Sequence, residues 1–478
     1  MNLPEIVQNY LDQRQLPYRT ITYPANETLA QVATRLELPI GRVMRVVLLK
    51  DQSGLIMAIL PSSHILDFSL LCRALQRDLE PLHGAQTASF FQNQGCKAGS
   101  YPPLPQAFGV SALVDDSLLV ADEDEIYFDG GSGDTLIGMR GVDFHSLLDE
   151  ARWEHFAIPI SDLDSLLNQQ AITPKNLASI SNRYTPMGLQ EGIESITELP
   201  IMSQTTRQIL LLRTYETIST RDILSIVSHD PSLAAQVMYW AHSPLYSHLD
   251  AIDSLQTAID RVLGVDNTLN LLLGSSMSQT FRIPADGPAG LQAFWRHSIY
   301  CASLVNELVK LLPESMDIKP GLAYLGGLLH NFGCLVLGHV FPARFFLFNR
   351  FLAVNRHVPI KMVERYVLGA EHWQIGAWLM QAWSMPEEVI AAVRWHHHED
   401  CTQPHAAYSN LVLIANRLLH HLGIGHEEND RLPALAMLTL GISRDQAMVA
   451  LAHVQENAQA LDSLSGALQL SSENQDGV

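Results

Sequence analysis

Cysteine is scarce in this chain and basic charge is outnumbered, and each shortage removes a class of explanation. The five cysteines (Cys72, Cys96, Cys301, Cys334, Cys401) are odd in number, scattered and without CxxC spacing. Neither a disulfide framework nor a zinc knuckle is indicated, and a reducing cytoplasm fits best. Thirty Lys and Arg against fifty Asp and Glu leave a net charge of −20, which disfavours phosphate-backbone binding as the general business of the chain. Residues 1–150 carry ten Lys/Arg against nineteen Asp/Glu, a net −9 that includes the run Asp122-Glu123-Asp124-Glu125. Nucleic acid would need a local basic patch. The opening Met1-Asn2-Leu3-Pro4-Glu5 has no basic region followed by an apolar stretch, so no signal peptide is expected. No internal repeat or low-complexity segment stands out.

Long apolar runs are nearly missing too. Gly321 to Phe341 comes closest to a membrane span, but His330, Asn331 and five glycines interrupt it, and the expectation is a buried helical hairpin with no membrane partner.

What is present is a chain of 478 residues, 47% hydrophobic and 17% charged, enough for two or more domains. Residues 1–150 mix helix and strand patterns. Pro4–Gln13 and Leu29–Leu36 have helical spacing, whereas Arg45–Lys50 and Leu55–Leu60 are strand-length apolar runs around the turn Asp51-Gln52-Ser53-Gly54, a β-hairpin signal. Ser111–Asp115 and Glu125–Phe128 add two strand candidates. The class is α+β with a mixed sheet. Residues 151–190 read as a linker holding a helical Ile160–Gln169 segment. From 191 to 420 the pattern is all helical, with a helical extension over 421–470 and a disordered end at Ser471–Val478. The architecture expected is therefore two domains, α+β followed by an all-α bundle.

In the helical part Ser219-Thr220-Arg221-Asp222 spells a capping box and Asp230-Pro231 a capped start with Pro at the first helical position. Ser384-Met385-Pro386-Glu387 reads as the cap of a helix ending at Trp395. Inside Gly326-Gly327-Leu328-Leu329-His330-Asn331-Phe332-Gly333 a His and an amide sit in apolar surroundings; buried polar groups of that kind need hydrogen-bond partners or a metal. His297, His372, His396 and His397 come from other helices, the layout of a metal site in a helical bundle.

These residues carry a resemblance. His297, His330-Asn331, His372 and His396-His397, with the string Asp230-Pro231-Ser232-Leu233 to Ala241-His242-Ser243, resemble the HD superfamily of metal-dependent phosphohydrolases and most closely its HDOD branch of bacterial signalling proteins, over about Ile196 to Leu419. In the catalytic relatives the dipeptide is His-Asp and a further Asp follows the paired histidines by one helix; this chain has Asn331 and Asn416 there. A bridging carboxylate sets the spacing of two metals and balances their charge, so the site is degenerate: the expectation is a hydrogen-bonded relic of the metal site, the alternative one divalent transition metal on His297, His330, His372, His396 and His397.

The first 150 residues resemble YbaK-like aminoacyl-tRNA deacylases through Gly41–Leu48, Leu60-Pro61-Ser62-Ser63-His64 with Asp67, the loop Gly95–Pro103, and Phe128-Asp129-Gly130-Gly131. The resemblance implies a substrate site at Arg45, Gly99, Ser100 and Pro103, with Arg45 where the active family has Lys, and Arg and Lys are not interchangeable at a close-fitting site. The resulting expectation is a cytoplasmic, non-catalytic bacterial regulatory protein that binds a protein partner or a small ligand. The alternatives are a deacylase acting on tRNA under control of the second half, and a metal-dependent phosphohydrolase.

Overall fold

A computed structural model describes residues 3–25, 27–82, 84–119, 124–163, 204–213, 218–228, 230–242, 252, 254–278, 283, 287–425 and 431–473. Two units make it up: Met1–Asn176 with Arg350–Val358, and Leu177–Asn349 with Pro359–Val478.

The first unit is α+β. Helices α1 (Glu5–Arg14), α2 (Leu29–Arg35), α3 (Phe68–Leu75), α4 (Gly84–Asn93) and α5 (Gly141–Leu147) flank three sheets. The largest joins β2 (Met44–Asp51), β3 (Gly54–Pro61), β5 (Glu80–Pro81), β6 (Ser111–Asp115) and β9 (Arg152–Glu154) in the order β5-β2-β3-β6-β9. β1 (Arg19–Thr22), β8 (Thr135–Arg140) and β7 (Glu125–Asp129) form a second, and β10 (Ala157–Pro159) pairs with β4 (His64–Leu66) in a third. The hairpin stands in the expected register, Asp51 opposite Gly54 and Arg45 opposite Leu60. Its turn is held by Asp51, which accepts from Ser53 N at 2.7 Å and pairs with Arg77 at 2.6 Å. β3 then runs parallel to β6, and β6 parallel to β9, so the sheet is mixed. Alternating apolar residues of these strands bury Met57, Ile59, Val114, Phe128 and Ile137 with Val7, Leu11, Phe91 and Phe144 of the helices.

The sheet continues past residue 150, where a linker was expected. Buried Asp115 explains why: its Oδ2 accepts from Phe156 N at 2.8 Å and Ala157 N at 2.7 Å, and a buried carboxylate is tolerated when backbone N–H groups satisfy it. Of the expected Ile160–Gln169 helix, residues 160–163 are helical and the remainder, like most of the linker, lies outside the described residues.

The second unit is helical throughout its described residues: α6 (Gln204–Arg213), α7 (Thr220–Val227), α8 (Pro231–Ala241), α9 (Leu255–Thr257), α10 (Val265–Ser278), α11 (Leu291–Val309), α12 (Pro320–Leu329), α13 (Phe332–Val340), α14 (Pro342–Val354, counted with the first unit from Arg350), α15 (Ile360–Val367), α16 (His372–Ala382), α17 (Glu387–Trp395), α18 (Ala406–His420), α19 (Ala434–Leu440), α20 (Arg444–Glu456) and α21 (Ala458–Glu473). The Ser219/Asp222 capping box forms, and Asp230 accepts from Leu233 N at 3.2 Å. The Ser384 cap does not. Ser384 has φ +53° and Pro386 is the residue before α17, with no side-chain cap. α20 and α21 pack on α11, so the C-terminal extension is part of this unit. Residues 471–473 end α21 in helix where disorder was expected, and 474–478 lie outside the described residues.

Pro320–Val340 is long and apolar enough to cross a membrane, and 89% of its most apolar window is buried in the protein. It is not the expected hairpin. His330 keeps helical dihedrals (φ −54°, ψ −33°) and Asn331 only bends the path (φ −98°, ψ 11°), so α12 packs on α11 and α17 while α13 packs on α16. Close approach requires glycine twice. A Cβ on Gly327 would stand 2.9 Å from Ala302 Cα, and one on Gly333 only 1.8 Å from the His372 carbonyl oxygen.

Candidate functional site

The five histidines and two asparagines come from five places in the chain and meet in the second unit. His297 lies in mid α11, His330 and Asn331 at the bend between α12 and α13, His372 opens α16, His396 and His397 follow α17, and Asn416 is on α18. The rings touch in succession: His297 and His330 centroids are 5.0 Å apart, His330 and His396 4.9 Å, and His396 and His397 4.2 Å.

Hydrogen bonds divide this cluster in two. His297 Nε2 donates to Asn416 Oδ1 at 3.0 Å, and its Nδ1 accepts from Asn331 Nδ2 at 3.1 Å. Both ring nitrogens are consumed by the two amides. His297 is thus held in an Asn331–His297–Asn416 chain, whereas the nitrogens that lie within 4.8 Å of one another are those of His372, His396 and His397.

The other half is built differently. His330 Nδ1 donates to the Gly327 carbonyl at 2.7 Å and His396 Nδ1 to the Val393 carbonyl at 2.8 Å. His372 Nδ1 faces the buried Glu364 carboxylate at 2.7 Å. A carbonyl can only accept, so Nδ1 carries the proton on His330 and His396, and burial with the neighbouring imidazoles holds both rings well below the ordinary histidine value, which leaves their Nε2 as a lone pair. Yet His372 Nε2 stands 3.3 Å from His396 Nε2 and 3.3 Å from His397 Nε2. Two such nitrogens this close need a proton or a metal cation between them. Burial and the neighbouring imidazoles hold His396 and His397 well below the ordinary histidine value, which disfavours an imidazolium and leaves a neutral N–H···N bond from His397 to His372 or a metal ion as the ways to join these nitrogens. Zinc–nitrogen bonds of about 2.0–2.1 Å at a tetrahedral angle separate the nitrogens by about 3.3–3.4 Å. His330 Nε2 is buried and without a hydrogen-bond partner, and its ring lies edge-on to His396 at 4.9 Å. The nitrogens of His372, His396 and His397 all lie within 4.8 Å of one another and fit one zinc-like ion, and Glu364 behind His372 is the carboxylate–histidine arrangement that orients such ligands.

Glu364 was missed in the sequence, although a signal existed. It lies four residues after Ile360 and beside Val363, on the buried face of α15, where a carboxylate needs a partner. Cys334 is close to Glu364 and His372 as well, but burial and Glu364 push its thiol well above the ordinary value, so it stays protonated. Replacing His330 with Ala should leave the Gly327 carbonyl unpaired and destabilise by about 1–3 kcal/mol, read from chemical denaturation of the full chain.

In the first unit the loop and the Phe128–Gly131 turn do come together. Ser100 Oγ donates to Asp129 Oδ1 and accepts from Gly133 N at 3.0 Å, while Lys97 N donates to the Gly131 carbonyl at 2.8 Å. Asp129 also accepts from Gly131 N at 2.7 Å, and burial raises its carboxyl above the usual range. Gly99 takes φ +83° and Pro103 is buried. Arg45 has separate partners: the carbonyls of Val354 (2.8 Å) and His64 (3.1 Å) and Asn355 Oδ1 (2.9 Å). Among the described residues no hydrogen bond joins it to Gly99, Ser100 or Pro103.

Residues 199–399 match the family model of the HDOD domain and residues 24–147 that of the aminoacyl-tRNA editing domain. The chain thus joins a YbaK-like editing domain to an HDOD domain. It is similar along almost its whole length to a crystal structure from Marinobacter aquaeolei VT8 described as a signal transduction protein, with 28% identity, 98% of this chain and 100% of that chain covered, and a TM-score of 0.78. An HDOD domain protein from Geobacter sulfurreducens is 20% identical over 58% of this chain and 96% of its own, with a TM-score of 0.49. An uncharacterized protein of Treponema pallidum (strain Nichols) is 24% identical over 248 residues, 51% of this chain. The chain spans 45% of the length of that curated relative.

Proposed function

We propose that this chain is a cytoplasmic bacterial regulatory protein that works by binding a protein partner or a small ligand, and that its histidine cluster holds one zinc-like ion without turnover. The similarity to a signal transduction protein supports the signalling-type role. The observation that carries the non-catalytic reading is the Asn331–His297–Asn416 chain: where the catalytic relatives place carboxylates there are neutral amides, already bonded to the histidine between them. Two divalent ions need bridging negative charge to sit together. Here the nearby carboxylate, Glu364, is spent on His372 Nδ1. The five cysteines are free thiols, in keeping with a reducing compartment.

Elemental analysis of untreated full-length protein, with assays of nucleotide and cyclic-dinucleotide hydrolysis and of aminoacyl-tRNA deacylation, tests the proposal. It expects up to one transition-metal ion per chain and no turnover in either assay. Chelator-sensitive hydrolysis would overturn it in favour of a phosphohydrolase, and robust deacylation in favour of an editing enzyme acting on tRNA.

A further inference from the structure

Arg350–Val358 lies more than 170 residues beyond the rest of the first unit in sequence and is nevertheless part of it. It is held at Arg45. The Arg45 guanidinium donates Nη1 to the Val354 carbonyl and Nη2 to Asn355 Oδ1. The Asn355 side chain does more than accept from Arg45. Its Oδ1 also accepts from Leu66 N at 2.8 Å, and its Nδ2 donates to the Leu66 carbonyl at 3.1 Å. A carboxamide that takes both the N–H and the C=O of one strand residue imitates a paired peptide group, so Asn355 completes the edge of β4, whose other edge is bonded to β10. Asn355 is fully buried. His357 Nε2 donates to the His64 carbonyl at 3.2 Å, Arg350 pairs with Asp78 at 2.8 Å, and Phe351 meets Phe68 edge-on at 6.1 Å.

The Arg45 end of this grip is strong in number and weak in charge. Its partners are neutral oxygens, and its Nε is buried without a hydrogen bond. Desolvation accordingly pulls the guanidinium down to about 9. A cation held by a carboxylate would be locked; one held by carbonyls and an amide can let them go.

We propose that the hydrogen-bonding groups of Arg45, His64 and Leu66 form a peptide-recognition site, specific for an asparagine that follows an exposed backbone carbonyl, and that Val354–His357 fills it as a releasable tethered ligand. The first unit is then a receptor for its own chain. Its Arg45, the position implied to hold substrate in the deacylases, is committed to a peptide.

A fluorescent nonapeptide of residues 350–358 (Arg-Phe-Leu-Ala-Val-Asn-Arg-His-Val) tests this against full-length protein by anisotropy. Asn355→Ala should open the site, and the peptide should bind that variant at least tenfold more tightly than wild type, where the tethered copy competes. Binding should vanish in Asn355→Ala combined with Arg45→Ala, or with a peptide carrying Ala for Asn. Equal affinity for wild type and a folded Asn355→Ala, no binding to either, or binding that survives these second changes overturns the proposal. Should Asn355→Ala not fold, hydrogen exchange of wild type decides. Release of the tether requires the Leu66 amide, which is bonded to Asn355 Oδ1, to exchange at least a hundredfold faster than that of Ile59 in the central strand β3. Exchange of both at one rate, through opening of the whole unit, excludes a releasable ligand.

Discussion

Gly333→Ala should be among the most damaging single methyl additions this protein can receive, costing more than about 3 kcal/mol, beyond the usual range for overpacking. The new Cβ would lie 1.8 Å from the His372 carbonyl oxygen, 2.7 Å from its carbonyl carbon and 2.8 Å from Gly376 N. These are backbone atoms, so no rotamer change relieves the overlap. α13 and α16 would have to separate, and α16 begins with His372. The opposing gain from helix propensity is only about 1 kcal/mol for Gly to Ala, too small to compensate. Gly466→Ala is the control, because nothing lies within 4 Å of its added Cβ; it should stabilise α21 by about 0.5–1 kcal/mol. Thermal and denaturant unfolding of both variants measure the contrast, and metal content measures the displacement of His372. A Gly333→Ala protein with the stability and metal content of wild type would mean that α13 and α16 do not meet as described.

How much of this was legible beforehand depended on how local each signal was. The 45–60 hairpin was readable because two apolar runs flank a turn ending in Gly54, and the Ser219/Asp222 cap because its bonds span three residues. The gathering of His330, His372, His396 and His397 was legible through a family resemblance. Its division was not. Spacing places a ring in a helix but does not say which nitrogen faces which neighbour, so the withdrawal of His297 into the amide chain and the Nε2 convergence at His372 appear only in three dimensions. The glycines around His330 read as interruptions of an apolar run. Their reason is backbone approach between helices distant in sequence. Asn355 gave no sign at all, because its partners Arg45 and Leu66 lie 310 and 289 positions away.

Asn331→Asp combined with Asn416→Asp should raise metal occupancy, because charge and not scaffold is what the site lacks. In wild type the two amides bond to opposite nitrogens of His297, an arrangement that places no negative charge beside the Nε2 donors of His330, His372, His396 and His397. Unit charges 4 Å apart interact by about 4 kcal/mol at an effective dielectric of 20, and a divalent ion doubles the attraction before desolvation is subtracted. Even a third of that surviving is worth about a hundredfold in affinity, since 1.4 kcal/mol is tenfold. His297 competes for the new charge: flanked by two carboxylates, it can become an imidazolium and neutralise them internally. The two outcomes are separable. Metal capture raises the metal-to-protein ratio in elemental analysis and shifts the His372 and His396 ring resonances in NMR, whereas internal neutralisation leaves the ratio unchanged and moves only the His297 titration upward. The expected result is the first, with affinity for Zn²⁺ at least tenfold above wild type in a competition titration against a chelator. Activity need not follow, because the two changes supply charge but no substrate-binding groups. A correctly folded double variant whose zinc affinity equals that of wild type would refute the charge argument and leave the amide chain as a structural brace.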